Sequence, residues 1–264
     1  MENGMLIISS KDNQNIKNTV KLKKSAKYRK QSGLFLAEGL RVCFDAMLSG
    51  AKIETLFVTE NAAQKHFEKY NQLSEYAGKT FVVTPELFSI ISDTQTPQGF
   101  LCVIKALDKT KQFDTIKNGG KFLALDNVQD PNNLGTILRS AEAFGISGVV
   151  MSSDCCDIYS PKVVRGSMGA VFRLPFIIYP TIAQFLNDNP ALNSYAAVVD
   201  SKAQSITDIC FTEPCVAVVG NEGNGLKDET IIACNNKITI PMKGKAESLN
   251  ASTAASIIIW EMIR

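Results

Sequence analysis

A chain of 264 residues with 45% hydrophobic and 20% charged residues has the composition of a globular protein with a sizeable core, which excludes intrinsic disorder. At the usual ~100–200 residues per domain it has room for two. Its formal net charge of +2 carries no global signal for a nucleic-acid partner, so any such signal has to be local.

Near the N-terminus Lys21, Lys23, Lys24, Lys27, Arg29 and Lys30 place six cations within ten residues, with Tyr28 among them and no acid. Alone, this is a solvated helix face whose long stems lie on the surface; phosphate contacts become a competing reading only beside the later motifs. The stretch 1–18 lacks the apolar core of a signal peptide, and the longest apolar runs, such as 216–219 and 257–260, are too short to cross a bilayer. A cytoplasmic protein without a membrane partner is expected.

Between residues 19 and 106, helix and strand patterns alternate. Residues 35–42 lead into a helix through Leu48, and strands are expected at 53–58, 80–83 and 100–104. The polar stretch 107–120 ends in Gly119-Gly120 and is the expected linker, which divides the chain into a small α/β domain over 1–106 and a second domain over 121–264. In the second, apolar runs at 122–125, 148–151, 176–178, 195–199, 215–219 and 237–240 alternate with helical patterns. Such runs predict strands buried on both faces by helices, in a mostly parallel sheet. Ligands of such sheets bind beyond the carboxyl ends of the strands.

Seven cysteines (Cys43, Cys102, Cys155, Cys156, Cys210, Cys215 and Cys234) include no C-x-x-C pair, and His66 is the one histidine. Neither a metal site nor a disulfide framework is expected, and most of the thiols read as small core residues in a reducing compartment.

Three segments carry candidate chemistry. In Asp130-Pro131-Asn132-Asn133-Leu134-Gly135-Thr136-Ile137-Leu138-Arg139 a turn opens a helix that Asn132 or Asn133 can cap, with Leu134, Ile137, Leu138 and Ala141 as its buried stripe. Gly135, one turn before Arg139, leaves room beside the guanidinium for a phosphate or a second chain; a helix whose Arg139 merely reaches solvent is the other reading. The second segment, Val216 to Leu226, runs from a buried strand into glycines spaced G-x-x-G-x-G, neither a dinucleotide fingerprint nor a P-loop. Glu222 in that turn could bond a ligand hydroxyl or a neighbouring side chain, and an ordinary tight turn is the alternative. In the third, Ile240-Pro241-Met242 precedes Glu247-Ser248-Leu249-Asn250-Ala251-Ser252 and an apolar helix. Ser248 or Asn250 can cap that helix, and the density of small polar groups also suits an adenosine-binding loop.

Together these segments resemble the SpoU (TrmH) family of RNA ribose methyltransferases, of the SPOUT class, in the order Asn133-x-Gly135-x-x-x-Arg139, Gly220-x-Glu222-Gly223-x-Gly225, and Ile240-Pro241-Met242 with Ser248-Leu249-Asn250. The segment 160–170, from Ser160-Pro161-Lys162 through Arg165-Gly166 to Ala170, is also similar to the family's, and Phe35-Leu36-Ala37-Glu38-Gly39 resembles its ribosomal-protein-like RNA-binding domain. Ala251 stands where the family often has valine. The resemblance implies a C-terminal trefoil knot, a homodimer, and S-adenosylmethionine as cofactor. Backbone at Gly220, Ile240 and Leu249 would hold the cofactor, with Gly225, Met242 and Asp200 as further neighbours.

It further implies methyl transfer to a ribose 2′-hydroxyl of a structured RNA, with ribosomal RNA expected and transfer RNA as the alternative. Asn133, Arg139, Glu222, Ser248 and Asn250 form the implied catalytic set, in which the family analogy sometimes makes arginine the base. Because arginine stays protonated, a grip on phosphate and stabilisation of the developing alkoxide suit Arg139 better. Alignment can supply ~7–11 kcal/mol of the barrier, so a strong base is not required. Lys21, Lys23, Lys24, Arg29, Lys162 and Arg165 are the candidate phosphate contacts. A non-catalytic RNA-binding protein on this scaffold would not need Arg139, Glu222 and Asn250 together, and a nicotinamide-dependent oxidoreductase would need an acid about twenty residues beyond the glycines, where Lys243-Gly244-Lys245 stands.

Overall fold

The run Phe100–Lys105, FLCVIK, is buried at every position but the last, the pattern of a strand covered on both faces. In the computed structural model, which describes residues 6–116 and 119–264, it lies inside the smaller of two sheets. The chain divides into two compact units, Met1–Leu107 with Asp157–Phe172, and Asp108–Cys156 with Arg173–Arg264. Residues 1–5, at the start of the N-terminal stretch, and residues 117 and 118, within the expected linker, lie outside the described residues.

The first unit holds strands β1 (Leu6–Ile8), β2 (Leu34–Glu38), β3 (Ile53–Thr59), β4 (Thr80–Val83) and β5 (Phe100–Lys105) in the order β1-β4-β3-β5-β2. The β1, β4 and β3 pairs are parallel, and β5 runs antiparallel to β3 and β2. The strands expected at 53–58, 80–83 and 100–104 are therefore present within a residue of their bounds. Around them lie α1 (Gln14–Lys24), α2 (Ala26–Ser32), α3 (Leu40–Leu48), α4 (Glu60–Lys65), α5 (Phe67–Tyr76) and α6 (Pro85–Ile91). Glu38 of the Phe35–Gly39 motif accepts from Ser92 Oγ, Asp93 N and Thr94 Oγ1, which closes the loop after α6 over the end of β2.

In the second unit α7 (Thr110–Ile116) and β6 (Lys121–Leu125) lead into α8 (Pro131–Ala143) and β7 (Gly148–Ser152). After α9 (Pro161–Gly166), which belongs to the first unit, and α10 (Ala170–Arg173) at the boundary come β8 (Phe176–Tyr179), α11 (Ile182–Asp188), β9 (Asn193–Ala197) and β10 (Gln204–Ser205). The chain ends with β11 (Cys215–Val219), α12 (Asp228–Ala233), β12 (Asn236–Thr239) and α13 (Ala251–Ile263). The order is β10-β12-β9-β11-β6-β7-β8, and every pair is parallel, as the apolar runs predict.

Three details differ from the sequence reading. β9 sits two residues before the expected 195–199, because pairing with β11 stops at Ala196 and Val199 emerges 70% exposed. The two-residue edge strand β10 has no apolar run to announce it. Within the expected linker, residues 110–116 are helical and Phe113 packs against Phe122 at 5.3 Å between ring centroids, so one apolar residue in a polar stretch docks that segment on the second unit. No described helix is long and apolar enough to cross a membrane, and no group of three or more His, Cys, Asp or Glu among the described residues could hold a metal ion.

Candidate active site

Beyond Leu125 the N–H of Asp126 donates to Val219 O at 2.9 Å and ties the end of β6 to the end of β11. The chain turns through Asn127 at φ 59°, a left-handed conformation that asparagine tolerates better than most residues. It then enters α8 with Pro131 in its first turn. Proline has its φ preset and no N–H to lose there, so the cap falls on Asp130, whose side chain accepts from Asn132 N at 2.8 Å. Neither Asn132 nor Asn133 is the cap, contrary to the sequence reading. The stripe of Leu134, Ile137, Leu138 and Ala141 is buried as expected.

Freed from capping, Asn133 is 6% exposed and links two distant segments. Its Nδ2 donates to Glu222 Oε1 at 3.0 Å, and its Oδ1 accepts from Asn250 Nδ2 at 3.0 Å. Chemistry settles the amide orientation, because a carboxylate only accepts. Asn250 Oδ1 is already committed to capping α13 through Ser252 N at 2.9 Å and Thr253 N at 3.3 Å. Glu222 also accepts from Gln129 N at 3.2 Å and Asp130 N at 3.1 Å. Burial pushes the Glu222 carboxyl up, but donation from Asn133 and the backbone N–H groups outweighs it and holds the group below the usual carboxylate range. A carboxylate so satisfied is a clamp between loops and a poor proton acceptor.

The same turn forms one wall of a cleft of about 420 Å³. Asn221 and Gly225 exchange backbone hydrogen bonds at 2.9 and 3.0 Å, and Asn221 Oδ1 accepts from Gly223 N and Asn224 N. A Cβ on Gly220 would fall 2.3 Å from the carbonyl carbon of Gly225, so only glycine lets the strand end pass the turn this closely. Of the expected cofactor neighbours, Gly220, Gly225, Ile240, Met242 and Leu249 line the cleft, as do Glu222 and Ser248. Val198, Ile238 and Ile258 add apolar wall. Asp200 does not line it; Val199 takes that place, and the Asp200 carboxylate accepts from Lys202 N at 2.8 Å.

The arrangement joins Asn133, Glu222 and Asn250 directly. Arg139 stands nearly two turns further along α8 on its exposed stripe, with no hydrogen bond or ion pair to a described residue, so its guanidinium is open to a ligand. Ser248 is likewise exposed.

The basic candidates lie in the first unit and divide. Arg29 is 7% exposed; its Nε donates to Asp157 Oδ2 at 2.7 Å and its Nη1 to Leu22 O at 2.6 Å. It is a packing residue and no open phosphate contact, because α2 turns it inward against α1. Lys23 Nζ is occupied by Ile90 O at 2.6 Å and Ser92 O at 2.8 Å, and burial, the leading influence, pulls its pKa down. Arg165 pairs with Asp93 at 3.1 Å and is partly exposed. Lys21, Lys24 and Lys162 are exposed.

Sequence reasoning missed the support beneath Glu222. Asp126, 1% exposed, accepts from Thr230 Oγ1 at 2.7 Å and Lys227 N at 3.2 Å, which anchors the exit of the glycine-rich turn. Lys227 Nζ in turn donates to Asp154 Oδ2 at 2.6 Å. Asn221 Nδ2 donates to Asn127 O at 2.8 Å. The signals were an acid at the end of an apolar strand and an asparagine two residues before a glycine, a side chain that folds back on its own backbone.

A profile of the SpoU rRNA Methylase family matches residues 120–260, and one described as MRM3-like substrate binding domain matches residues 13–102. The chain belongs to the SpoU rRNA methylase family. It is 32% identical to the mitochondrial rRNA methyltransferase 3 of Xenopus laevis, over 92% of this chain and 72% of that one. It is 26% identical to the 23S rRNA (guanosine(2553)-2'-O)-methyltransferase RlmP of Bacillus subtilis (strain 168), over 97% and 98%. Among solved structures, the AdoMet-bound rRNA methyltransferase of Sinorhizobium meliloti is similar with a TM-score of 0.85 and 29% identity, over 98% of this chain and 97% of that one. The SpoU profile spans all three segments of the candidate site, from Asn133 to Asn250.

Proposed function

We propose that this SpoU-family chain methylates a ribose 2′-hydroxyl of RNA with S-adenosylmethionine as methyl donor, and that ribosomal RNA is its substrate. The observation that carries this reading is the bonded chain Glu222–Asn133–Asn250 beside the cleft, formed by three segments far apart in sequence. The relatives named as rRNA methyltransferases, one of them for 2′-O methylation, support the substrate class. Transfer RNA is the alternative.

The cleft suits the cofactor: about 420 Å³ lies within the ~300–1,000 Å³ of small-molecule sites, and apolar walls alternate with strand-end backbone able to meet a purine edge. Gly220, Ile240 and Leu249 would hold it through their backbone, with Gly225, Met242 and Val199 beside them. When bound, S-adenosylmethionine supplies an electrophilic methyl group on a sulfonium. The chain's part is to align a hydroxyl nucleophile and handle its charge. Arg139, permanently cationic and unpaired among the described residues, grips an RNA phosphate and stabilises the oxyanion that develops on the ribose oxygen. The proton leaves to phosphate or water. Glu222 and Asn133 hold the loops that orient the sugar, and Ser248 and Asn250 fix the facing loop.

The reading includes a C-terminal trefoil knot, supported by the way the 220–226 turn and the 240–249 segment line one cleft. It includes a homodimer, supported by Trp260, 49% exposed against Phe144 on the α8–α13 surface. It also includes a cytoplasmic location and the first unit as the RNA-holding part.

Ribose methylation mapped across total RNA from cells with and without the gene tests the proposal, with calorimetry of S-adenosylhomocysteine against NAD. Loss of a 2′-O-methyl mark and binding of the homocysteine nucleoside alone are expected. An unchanged methylation map overturns the reading.

A further inference from the structure

The first unit carries a groove of about 950 Å³, separate from the cleft and more than twice its volume. It forms where β2 and β3 turn into α3 and α4, and two glycines shape it. A Cβ on Gly99, at φ +79°, would fall 2.4 Å from Thr59 Oγ1 and 2.6 Å from Ala62 Cβ, so glycine alone lets the strand entry lie against α4. Gly39 stands at the N-cap of α3 with no side chain to cap it, and Leu40 N donates instead to Gln98 Oε1 at 3.2 Å. That bond commits the Gln98 oxygen and leaves its Nε2 as a donor at the groove.

The lining is one-sided in charge. Arg41, Lys65 and Lys69 stand against Asp45 as the one acid. Arg41 and Lys65 are exposed and make no hydrogen bond or ion pair with a described residue, and Lys69 Nζ lies 5.4 Å from the centre of the Phe44 ring. Three cations against one acid match a ligand that carries negative charge. Phe44 and His66 add flat ring faces among the cations. Cations spread over α3, α4 and α5 suit a run of phosphates better than one anion, and rings in a concave groove suit unstacked bases better than a closed duplex.

We propose that this groove holds a single-stranded stretch of the RNA substrate, with phosphates on Arg41, Lys65 and Lys69 and bases against Phe44 and His66. The assignment rests on the RNA-methyltransferase reading and adds a recognition site to it.

The test uses the full chain without cofactor, measuring affinity across salt concentrations for a short single-stranded RNA of mixed sequence and for a blunt RNA duplex of the same length. Losing three phosphate contacts, the triple variant Arg41→Gln, Lys65→Gln, Lys69→Gln is expected to lower the slope of log K against log salt for the single strand by about 2, at ~0.7 per contact. Duplex binding should change less, and Lys52→Gln with Lys79→Gln, at exposed positions outside the groove lining, should leave single-strand binding near wild type. The single variants Arg41→Gln and Lys65→Gln, at exposed positions, carry the test if the triple variant does not fold. Wild-type affinity and slope in the groove variants, an equal loss on duplex, or a loss confined to the Lys52 and Lys79 variant overturns the proposal. RNA binding through the groove by a chain that methylates no RNA would overturn the parent reading and leave the groove standing.

Discussion

Asn133 Nδ2 donates to Glu222 Oε1 at 3.0 Å across 89 positions of sequence, and the amide has no freedom to reverse because its oxygen is taken by Asn250. Two loops that close the candidate active site are thereby locked to one side chain on α8.

Asn133→Ala leaves Asn250 Nδ2 without its acceptor and removes one of three donors to Glu222. Asn250 and Glu222 are both exposed, so water can take over at each, and the cost is the net worth of a hydrogen bond in a wet site, about 0.5–1.5 kcal/mol, which urea unfolding can resolve. Asn133→Asp should be worse, since it sets a second carboxylate beside Glu222. Methyl transfer should fall in both. If unfolding midpoints and turnover match wild type, the link has no role.

The Glu222 carboxyl is held below its usual range, so its contribution to stability is present above the unfolded value of ~4.3 and is lost as pH falls through the lower folded value. Glu222→Gln cannot titrate at that position. Wild type should therefore be the more stable of the two at pH 7, with the gap narrowing as the solution is acidified below about pH 4. Thermal melts of the pair over that range check the sign, and a gap that widens on acidification would contradict it.

How far the sequence disclosed this arrangement depends on the kind of signal. β11 was legible to the residue because its five apolar positions are all buried, whereas β9 slipped by two because Val198 and Val199 continue the apolar run past the last paired residue. Asn133 and Glu222 were nameable from motif order, but that they touch is a tertiary fact. The cap of α8 falls on Asp130 and not on either asparagine because Pro131 presets the first helical φ, so the helix begins before Asn132. Arg29 reads like its basic neighbours, and only the turn at Ser25, which ends α1 and caps α2, swings it inward to Asp157. The signal at Asp126, an acid at the end of an apolar strand, is shared by ordinary strand-end turns, and only its distant partners Thr230 and Lys227 set it apart.

At Gly220 one methyl group is decisive. The Cβ of Gly220→Ala would meet the carbonyl carbon of Gly225 and the nitrogen of Leu226 at 2.3 and 2.4 Å, both backbone atoms that cannot rotate away. The turn has to shift, with an overpacking cost of about 1–3 kcal/mol and a distorted cleft wall. Calorimetry with S-adenosylhomocysteine should show affinity reduced at least tenfold, while Gly223→Ala, whose nearest neighbour would be Asn221 Oδ1 at 3.6 Å, should bind almost normally. Equal affinity in the two variants would separate Gly220 from the cofactor site.

Arg139 presents the sharpest test of mechanism because nothing in the described chain competes for it. A phosphate grip needs one positive charge, which lysine also supplies, whereas stabilising a developing oxyanion while holding phosphate needs a planar fork with several donors at fixed angles. Arg139→Lys should keep RNA affinity within a few fold and lower kcat by roughly 10²–10³, the range for removing one preorganised oxyanion donor. The fall should appear in single-turnover experiments at saturating RNA and cofactor, where binding no longer contributes. Were arginine instead the proton acceptor, lysine, with its lower pKa, would shed its proton more readily, and activity would recover as pH rises toward ~10. A rate that stays low and parallel to wild type across that range supports the electrostatic role; recovery at high pH transfers the proton to residue 139.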